Sequence, residues 1–334
     1  MIRSFAPGRV NLIGDHTDHQ GGLVLPVAID LGTTVLGTRG GGVVRLQSED
    51  EDGVVEAPLR GGRPRGTQPR WGRYVSAIVE LVRPDTGLVG KVSTTLPIGA
   101  GLSSSAALEL SVALALGFEG SALQLARLCQ QAEHLAVGVP TGIMDQLVSA
   151  AGVVDHALLI DCHDTSIAPV PIPDDVDVLV ADSGERRSLT GTAYAERLAE
   201  CARAAEEVGP LRLLPDVSGI GDEVVRRRAR HVVTEIARVR SFADALVSGD
   251  APAAGRLMTE SHESLGTDFE VSTPRLDATV RVLAAAPGVY GARLTGAGFG
   301  GSVVALAARG APLPPGAVRV RASAGAQVAT EADR

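Results

Sequence analysis

Between residues 9 and 22 the chain reads RVNLIGDHTDHQGG, which crowds Arg9, Asp15, His16, Asp18 and His19 into one short stretch. Carboxylates and imidazoles set so close can hydrogen-bond several hydroxyls at once, which is what gripping a sugar requires. His16 and His19 also have H-x-x-H spacing with Asp18 between them. A metal reading is the weaker one. Helix-borne metal-binding histidines stand at i, i+4, whereas Gly14, Gly21 and Gly22 make this segment a turn. The plainest alternative is a polar loop in which one Asp caps a helix.

Three further segments could carry chemistry. Residues 97–107, PIGAGLSSSAA, combine glycines that let backbone approach a ligand with the start of a helix. The unpaired N–H groups and positive end of that helix suit phosphate, and Ser103, Ser104 and Ser105 add donors and a possible Mg2+ ligand. The competing reading is a glycine turn with a serine N-cap. Residues 138–146, GVPTGIMDQ, follow Glu133 and set Asp145 among Ile143, Met144, Leu147 and Val148. An acid among apolar residues needs a partner or a task; a cap or a structural ion pair would serve equally. Residues 295–302, TGAGFGGS, match G-x-G-x-x-G at Gly296, Gly298 and Gly301. A dinucleotide fingerprint needs a βαβ unit with an acid about 20 positions later. The chain downstream is instead a strand and a short Pro-rich tail, so close packing against another loop is expected.

Several classes are excluded by composition. Among 334 residues the sole lysine is Lys91; it is followed by Val92, and Asp85 stands where a Walker-type loop needs its first glycine. No V-A-I-K or H-R-D motif of a protein kinase is present. Nucleotide handling here must therefore work without those devices. A net charge of −8 and a pI near 5.4 argue against nucleic-acid partners and anionic membranes. Cys129, Cys162 and Cys201 are far apart and odd in number, so neither zinc nor a disulfide framework is expected, and a reducing cytoplasm fits. The N-terminus reaches Pro7 too soon for a signal peptide, and no apolar run is long enough to span a bilayer. Aromatics are 3% of the chain, so the core must rest on Ala, Val and Leu.

The length suggests two domains, divided in the Pro-rich run at Pro169, Pro171 and Pro173: 1–170 and 171–334. A loop is expected over 61–70 and a turn at 85–87. Strands are expected over 92–96, 177–181, 291–294 and 303–307. Helices are expected over 106–116, closed by Gly117, and over 192–208, 222–248 and 251–265. A further helix begins at an N-cap, Ser121, presents a stripe of Leu125, Leu128, Cys129, Ala132 and Leu135, and ends at Gly138. Mixed strands and helices in two halves imply an α+β architecture.

These four segments, in this order, resemble the GHMP small-molecule kinases and, within them, the galactokinase family. APGRVNLIGDHTDHQGG (6–22) looks like the sugar signature, PIGAGLSSSAALE (97–109) like the phosphate loop, and GVPTGIMDQLVSAAG (138–152) and ARLTGAGFGG (292–301) like the remaining motifs. RARHVVTE (228–235) and LMTESHESLGTDFEVSTPRLD (257–277) are also similar, so the resemblance runs from about residue 5 to 307. It implies an N-terminal ribosomal-protein-S5-like domain, a C-terminal α/β-sandwich domain, and an active site in the cleft between them. The implied reaction is ATP-dependent phosphorylation of the anomeric C1 hydroxyl of galactose.

Carried over residue by residue, the resemblance implies Asp145 and Arg9 as catalytic. Arg9, Asp15, His16, Asp18, Gly142, Asp145 and Tyr194 would face the sugar. Trp71, Pro97, Gly99, Ala100, Gly101, Leu102, Ser103, Ser104 and Ser105 would serve ATP, with Trp71 near the adenine. Ser105 and Glu133 would hold Mg2+. An arginine beside Asp145 makes it a weak base, which leaves two mechanisms: Asp145 removes the hydroxyl proton, or it orients the hydroxyl while proton loss follows transfer. The partners implied are a small sugar and ATP, with the chain a monomer or weak homodimer.

The pattern departs at three positions: Asp15 stands for the usual Glu, His19 for Tyr, and Thr141 for a common Cys. The chain is also shorter than most galactokinases. The shorter Asp15 keeps N-acetylgalactosamine, galacturonate or arabinose as alternative substrates, although no extra cation in the sugar motif is present to pair a uronate. A sensor that binds galactose and ATP without catalysis is the remaining alternative, and the intact serine loop and Asp145 weigh against it. Mevalonate- and homoserine-type relatives usually carry Lys where Arg9 stands.

Overall fold

The computed structural model describes residues 1–60, 69–138, 141–186 and 190–330; most of the loop expected over 61–70 lies outside these. The first half runs β1 (Ile2–Asn11), β2 (Leu23–Val24), β3 (Pro26–Arg39), β4 (Val43–Ser48), β5 (Val54–Pro58), α1 (Gly72–Val82), β6 (Leu88–Thr94), α2 (Ser104–Ala115), α3 (Ala122–Val137), α4 (Met144–Ala151), β7 (His156–Asp161) and β8 (Ser166–Pro171). The second runs β9 (Val176–Asp182), α5 (Thr190–Val208), α6 (Glu223–Val247), α7 (Ala251–Thr267), α8 (Pro274–Ala284), β10 (Val289–Thr295), β11 (Ser302–Ala308), β12 (Ala317–Val320) and β13 (Gln327–Thr330). This is an α+β fold.

A six-stranded sheet, β13-β1-β3-β6-β4-β5, belongs to the first half apart from β13. A four-stranded antiparallel sheet, β10-β11-β9-β12, forms the second, with α7 and α8 against β10. β2, β7 and β8 make a small third sheet. After β12 the chain crosses back, and β13 pairs with β1 from Ile2↔Thr330 to Phe5↔Gln327. A split at 170/171 therefore leaves the first sheet with a strand from the chain's end. Pro169 and Pro171 of the Pro-rich run lie in β8, and Pro173 lies in the turn that connects it to β9 of the second sheet. β8 lies at the edge of its sheet, paired only with β7, and an edge strand tolerates prolines that cannot donate to a ladder.

Two features aim the site. β1 is buried from Ala6 to Asn11, and its register against β3 shifts between Pro7 and Arg9. At Gly8 a Cβ would lie 2.6 Å from the Leu102 carbonyl oxygen, and the next N–H, of Arg9, donates to that oxygen at 3.2 Å. Glycine lets β1 touch the 97–103 loop, and the bulge turns Arg9 toward it. α2 is the second feature. It is buried nearly all round, as an Ala-, Leu- and Val-rich helix must be, and it packs against β1, β3, α1, α3 and α4. Its N-terminus is thereby fixed beside Arg9.

Most expected helices form within two residues of their expected bounds. Ser121 and Gln124 make a capping box for α3, and Gly138 closes it in the left-handed region at φ 78°. The expected stripe fails at its end: Leu135 is 54% exposed. At about 100° per residue it has drifted some 80° from Leu125, off the face that buries Cys129 and Ala132. The strand expected over 92–96 starts earlier and ends at Thr94, where the Leu96 N–H turns back to Thr94 Oγ1 at 3.2 Å.

Candidate functional site

Asp145 is the second residue of α4, in its first turn, where a helix end stabilises an anion. Its Oδ1 accepts from Arg9 Nε at 2.7 Å and its Oδ2 from Arg9 Nη2 at 2.8 Å, a two-pronged pair. Arg9 Nη1 donates to the Gly101 carbonyl at 2.8 Å, so all three guanidinium nitrogens are engaged. Asp145 Oδ2 also accepts from Ser103 Oγ at 2.6 Å. Ser103 sits in the left-handed region, φ 61°, and does not cap α2 with its side chain. Its hydroxyl is turned to Asp145 instead, joining three of the four motifs: sugar loop, serine loop and α4.

A cavity of about 500 Å³ opens on this cluster. Arg9, Asp15, His16, Asp18, Gly142, Asp145 and Tyr194 line it, as do Gly99, Gly101, Ser103, Ser104, Ser105 and Glu133. A second cavity of about 450 Å³ is lined by Trp71 and Thr33, and it shares Tyr74, Gly99, Ser104 and Ser105 with the first. The expected sugar and phosphate residues therefore meet, and Trp71 lies further along the same groove. Pro97, Ala100 and Leu102 do not line it. Pro97 is exposed, and Ala100 and Leu102 point into the core. The two buried residues anchor the loop through their carbonyls, Ala100 accepting from Ser302 Oγ at 2.7 Å and Leu102 from the Arg9 N–H.

At the Ser105 side, Ser105 Oγ donates to Glu133 Oε1 at 2.8 Å. Glu133 Oε2 accepts from Thr141 Oγ1 at 3.1 Å and Gln146 Nε2 at 2.7 Å, which fixes its carboxylate toward the cavity. Gly142 is needed for space: a Cβ there would fall 1.8 Å from Asp18 Oδ2. Burial drives the His16 imidazole well below its usual pKa, so it stands neutral at physiological pH. Its ring centroid lies 4.5 Å from that of Phe269, the two tilted by 30°, and 5.9 Å from that of Tyr194.

Other groups were missed in the sequence. Tyr74, Arg186, Gly296 and Ala297 line the first cavity. Arg293 is fully buried, with Nη1 2.7 Å from Asp15 Oδ2. The glycine cluster does pack against loops, as expected: the Phe299 N–H donates to the Val271 carbonyl and the Gly301 N–H to that of Glu185. It does more than that, because the Gly296 N–H donates to Asp15 Oδ1 at 3.0 Å. Lys91, by contrast, lies on β6 with its side chain 63% exposed, 3.2 Å from Glu49. Lys91→Arg is expected to leave kcat and both KM values within about twofold in a steady-state assay, as exposed substitutions away from a site usually do.

Comparison with known proteins gives the family. Residues 2–39 match the galactokinase galactose-binding signature, 73–153 the GHMP kinases N-terminal domain, and 242–322 the GHMP kinases C-terminal domain. A galactokinase of Canis lupus familiaris is 44% identical over 324 residues, covering 90% of this chain and 82% of the relative. The structure of Lactococcus lactis galactokinase complexed with galactose superposes with a TM-score of 0.89 at 31% identity, over 98% of this chain and 95% of that one. Methanococcus jannaschii mevalonate kinase shares the fold at a TM-score of 0.68 and 21% identity, over 97% and 98% of the two chains. With its sugar loop, serine loop and Arg9–Asp145 pair assembled in one groove, the chain belongs to the galactokinase family of GHMP kinases.

Proposed function

We propose that this chain transfers the γ-phosphoryl group of ATP to the anomeric C1 hydroxyl of D-galactose, giving galactose 1-phosphate and ADP. The observation that carries the reading is the Arg9–Asp145–Ser103 cluster, set where the sugar-facing loop meets the serine loop. Phosphoryl transfer needs chiefly positioning and neutralisation of spreading charge. Asp15, His16, Asp18, Gly142 and Tyr194 hold the sugar, and Asp145 faces its C1 hydroxyl. The backbone N–H groups of 99–105 and the α2 terminus hold the phosphates, and the base lies toward Trp71. Arg9 sits where charge gathers on the transferring group.

Asp145 already accepts three hydrogen bonds, two of them from a cation. A carboxylate so occupied is better suited to orient a hydroxyl than to strip it, so Asp145 aligns the attacking oxygen and the proton leaves with or after transfer. Among the described residues the sugar end is lined by the carboxylates of Asp15 and Asp18, and the cavity's two arginines are each paired, Arg9 with Asp145 and Arg186 with Asp182. That disfavours a uronic acid.

Ser105 and Glu133 offer the hard oxygen donors that Mg2+ prefers, and a serine hydroxyl hydrogen-bonded to a carboxylate facing the phosphate groove fits such a site. When bound there, the ion neutralises phosphate charge. Glu133→Gln is expected to raise the Mg2+ concentration for half-maximal rate by about tenfold or more; an unchanged titration curve would remove Glu133 from the site.

The same reading places the domain division near residue 170 and the chain in the cytoplasm as a monomer or weak homodimer. Among the described residues no helix is long and apolar enough to cross a membrane. The test is ADP release with galactose, N-acetylgalactosamine, arabinose, galacturonate and glucose. Galactose is expected to give the highest kcat/KM. No turnover above background with it would overturn the proposal, and binding of galactose and ATP without ADP release would favour the sensor.

A further inference from the structure

The sugar loop is held from the far side of the junction. The Gly14 N–H donates to Glu235 Oε1 at 2.9 Å, and His231 Nε2 lies 3.0 Å from the Asp15 carbonyl oxygen; both partners are on α6. From β10 and the loop after it, Arg293 Nη1 lies 2.7 Å from Asp15 Oδ2, and the Gly296 N–H donates to Oδ1. Asn11 and Thr295 exchange two hydrogen bonds beside them, the Asn11 N–H to Oγ1 at 2.9 Å and Oγ1 to the Asn11 carbonyl at 3.2 Å. The Gly14–Asp15 peptide and the Asp15 carboxylate are thus gripped on four sides by the second half of the chain.

Arg293 is the costly member of this set. Its side chain is fully buried; Nη1 also donates to the Asn11 carbonyl at 3.2 Å, and Nη2 lies 3.9 Å from Glu235 Oε1. Its Nε and Nη2 make no hydrogen bond. A buried arginine with unused donors is poor structural material, since apolar side chains of similar volume usually serve stability as well or better. It does not line the cavity, but Asp15 does. Burial pushes the Asp15 carboxyl above its ordinary pKa, and Arg293 is the foremost group pulling it back.

We propose that Arg293 is a positioning residue for sugar recognition: its ion pair with Asp15 across the junction keeps that carboxylate charged and turned so that its remaining lone pairs accept a hydroxyl of the bound sugar. Glu235, itself paired with Arg238 Nε at 2.7 Å, is a second, more distant carboxylate beside the buried guanidinium. It is held down to about 2, burial opposing its ionisation and His231, Arg293 and Arg238 outweighing that. Arg293 thus sets affinity for the sugar without touching it. The inference rests on the galactose reading of the cavity.

The test uses the full chain with Arg293→Met, Arg293→Lys, Asp15→Asn and the double variant Asp15→Asn/Arg293→Met. Arg293→Met is expected to raise KM for galactose about tenfold or more while KM for ATP stays within about twofold. Arg293→Lys, which keeps the charge, recovers part of the loss. The double variant binds galactose no worse than Asp15→Asn alone, because the two residues act as one unit. If Arg293→Met does not fold, Arg293→Lys and the double variant, which leaves no unpaired charge between these two positions, carry the comparison. An unchanged KM for galactose, an equal rise in both KM values, or additive effects in the double variant would overturn the inference. Absence of galactose turnover in the wild type would overturn the reading beneath it instead; calorimetric titration of galactose into the same variants then decides for or against Arg293.

Discussion

Asp145→Ala is expected to lower kcat for galactose by about 1000-fold or more, the scale of losing a group that acts on the reacting hydroxyl. ATP affinity, measured by calorimetry, should stay near the wild-type value, because the phosphates are assigned to backbone N–H groups and the α2 terminus. The fold should survive: Asp145 is 31% exposed at its side chain, and Arg9 keeps its bond to the Gly101 carbonyl. Asp145→Asn separates the two mechanisms. An amide oxygen still accepts a hydrogen bond, so an orienting role predicts at least about tenfold more activity than Asp145→Ala. A true base predicts no difference between Asn and Ala. Wild-type turnover in Asp145→Ala would remove the residue from the chemistry altogether.

Arg9→Lys is the second large effect, with an expected loss of about 100-fold in kcat. Arg9 makes three contacts in three directions, two to Asp145 and one to Gly101. A lysine ammonium is a single point and cannot span both carboxylate oxygens while reaching the loop. Either Asp145 or the 97–103 loop must shift, and positioning is most of what phosphoryl transfer asks of a protein. KM for ATP should rise with it, since Gly101 belongs to the phosphate loop. Arg9→Lys with near-normal kcat beside an impaired Lys91→Arg would refute this account of where the working cation sits.

Much of this was legible in the chain because its signals were local. Ser121 with Gln124, Gly138 after the apolar stripe, and glycines before a serine triplet each declare an element end within a few residues. The segments 9–22 and 97–107 and Asp145 stand out in the sequence for the same reason, and residues from each line one cavity. What escaped notice is long-range. Arg293 reads as one more arginine before a glycine cluster, and nothing near it points to Asp15, 278 positions away. That Pro169 and Pro171 sit on an edge strand, where prolines do no harm, is a tertiary fact that the local sequence does not carry. Pro97, Ala100 and Leu102 lie inside a phosphate-loop motif, yet Ala100 and Leu102 turn inward to anchor the loop, and Gly99, Gly101 and Ser103 to Ser105 are what it presents to the cavity.

The return of β13 to β1 has a bearing on how the molecule is made. β1 carries Arg9 and is synthesised first, but the outer edge of its Ile2–Phe5 segment gains its partner only when residues 327–330 arrive. During synthesis that edge offers unpaired N–H and C=O groups to any strand nearby, the condition in which edge-to-edge association begins. The strand that bears Arg9 therefore waits for a segment made much later before that edge is closed.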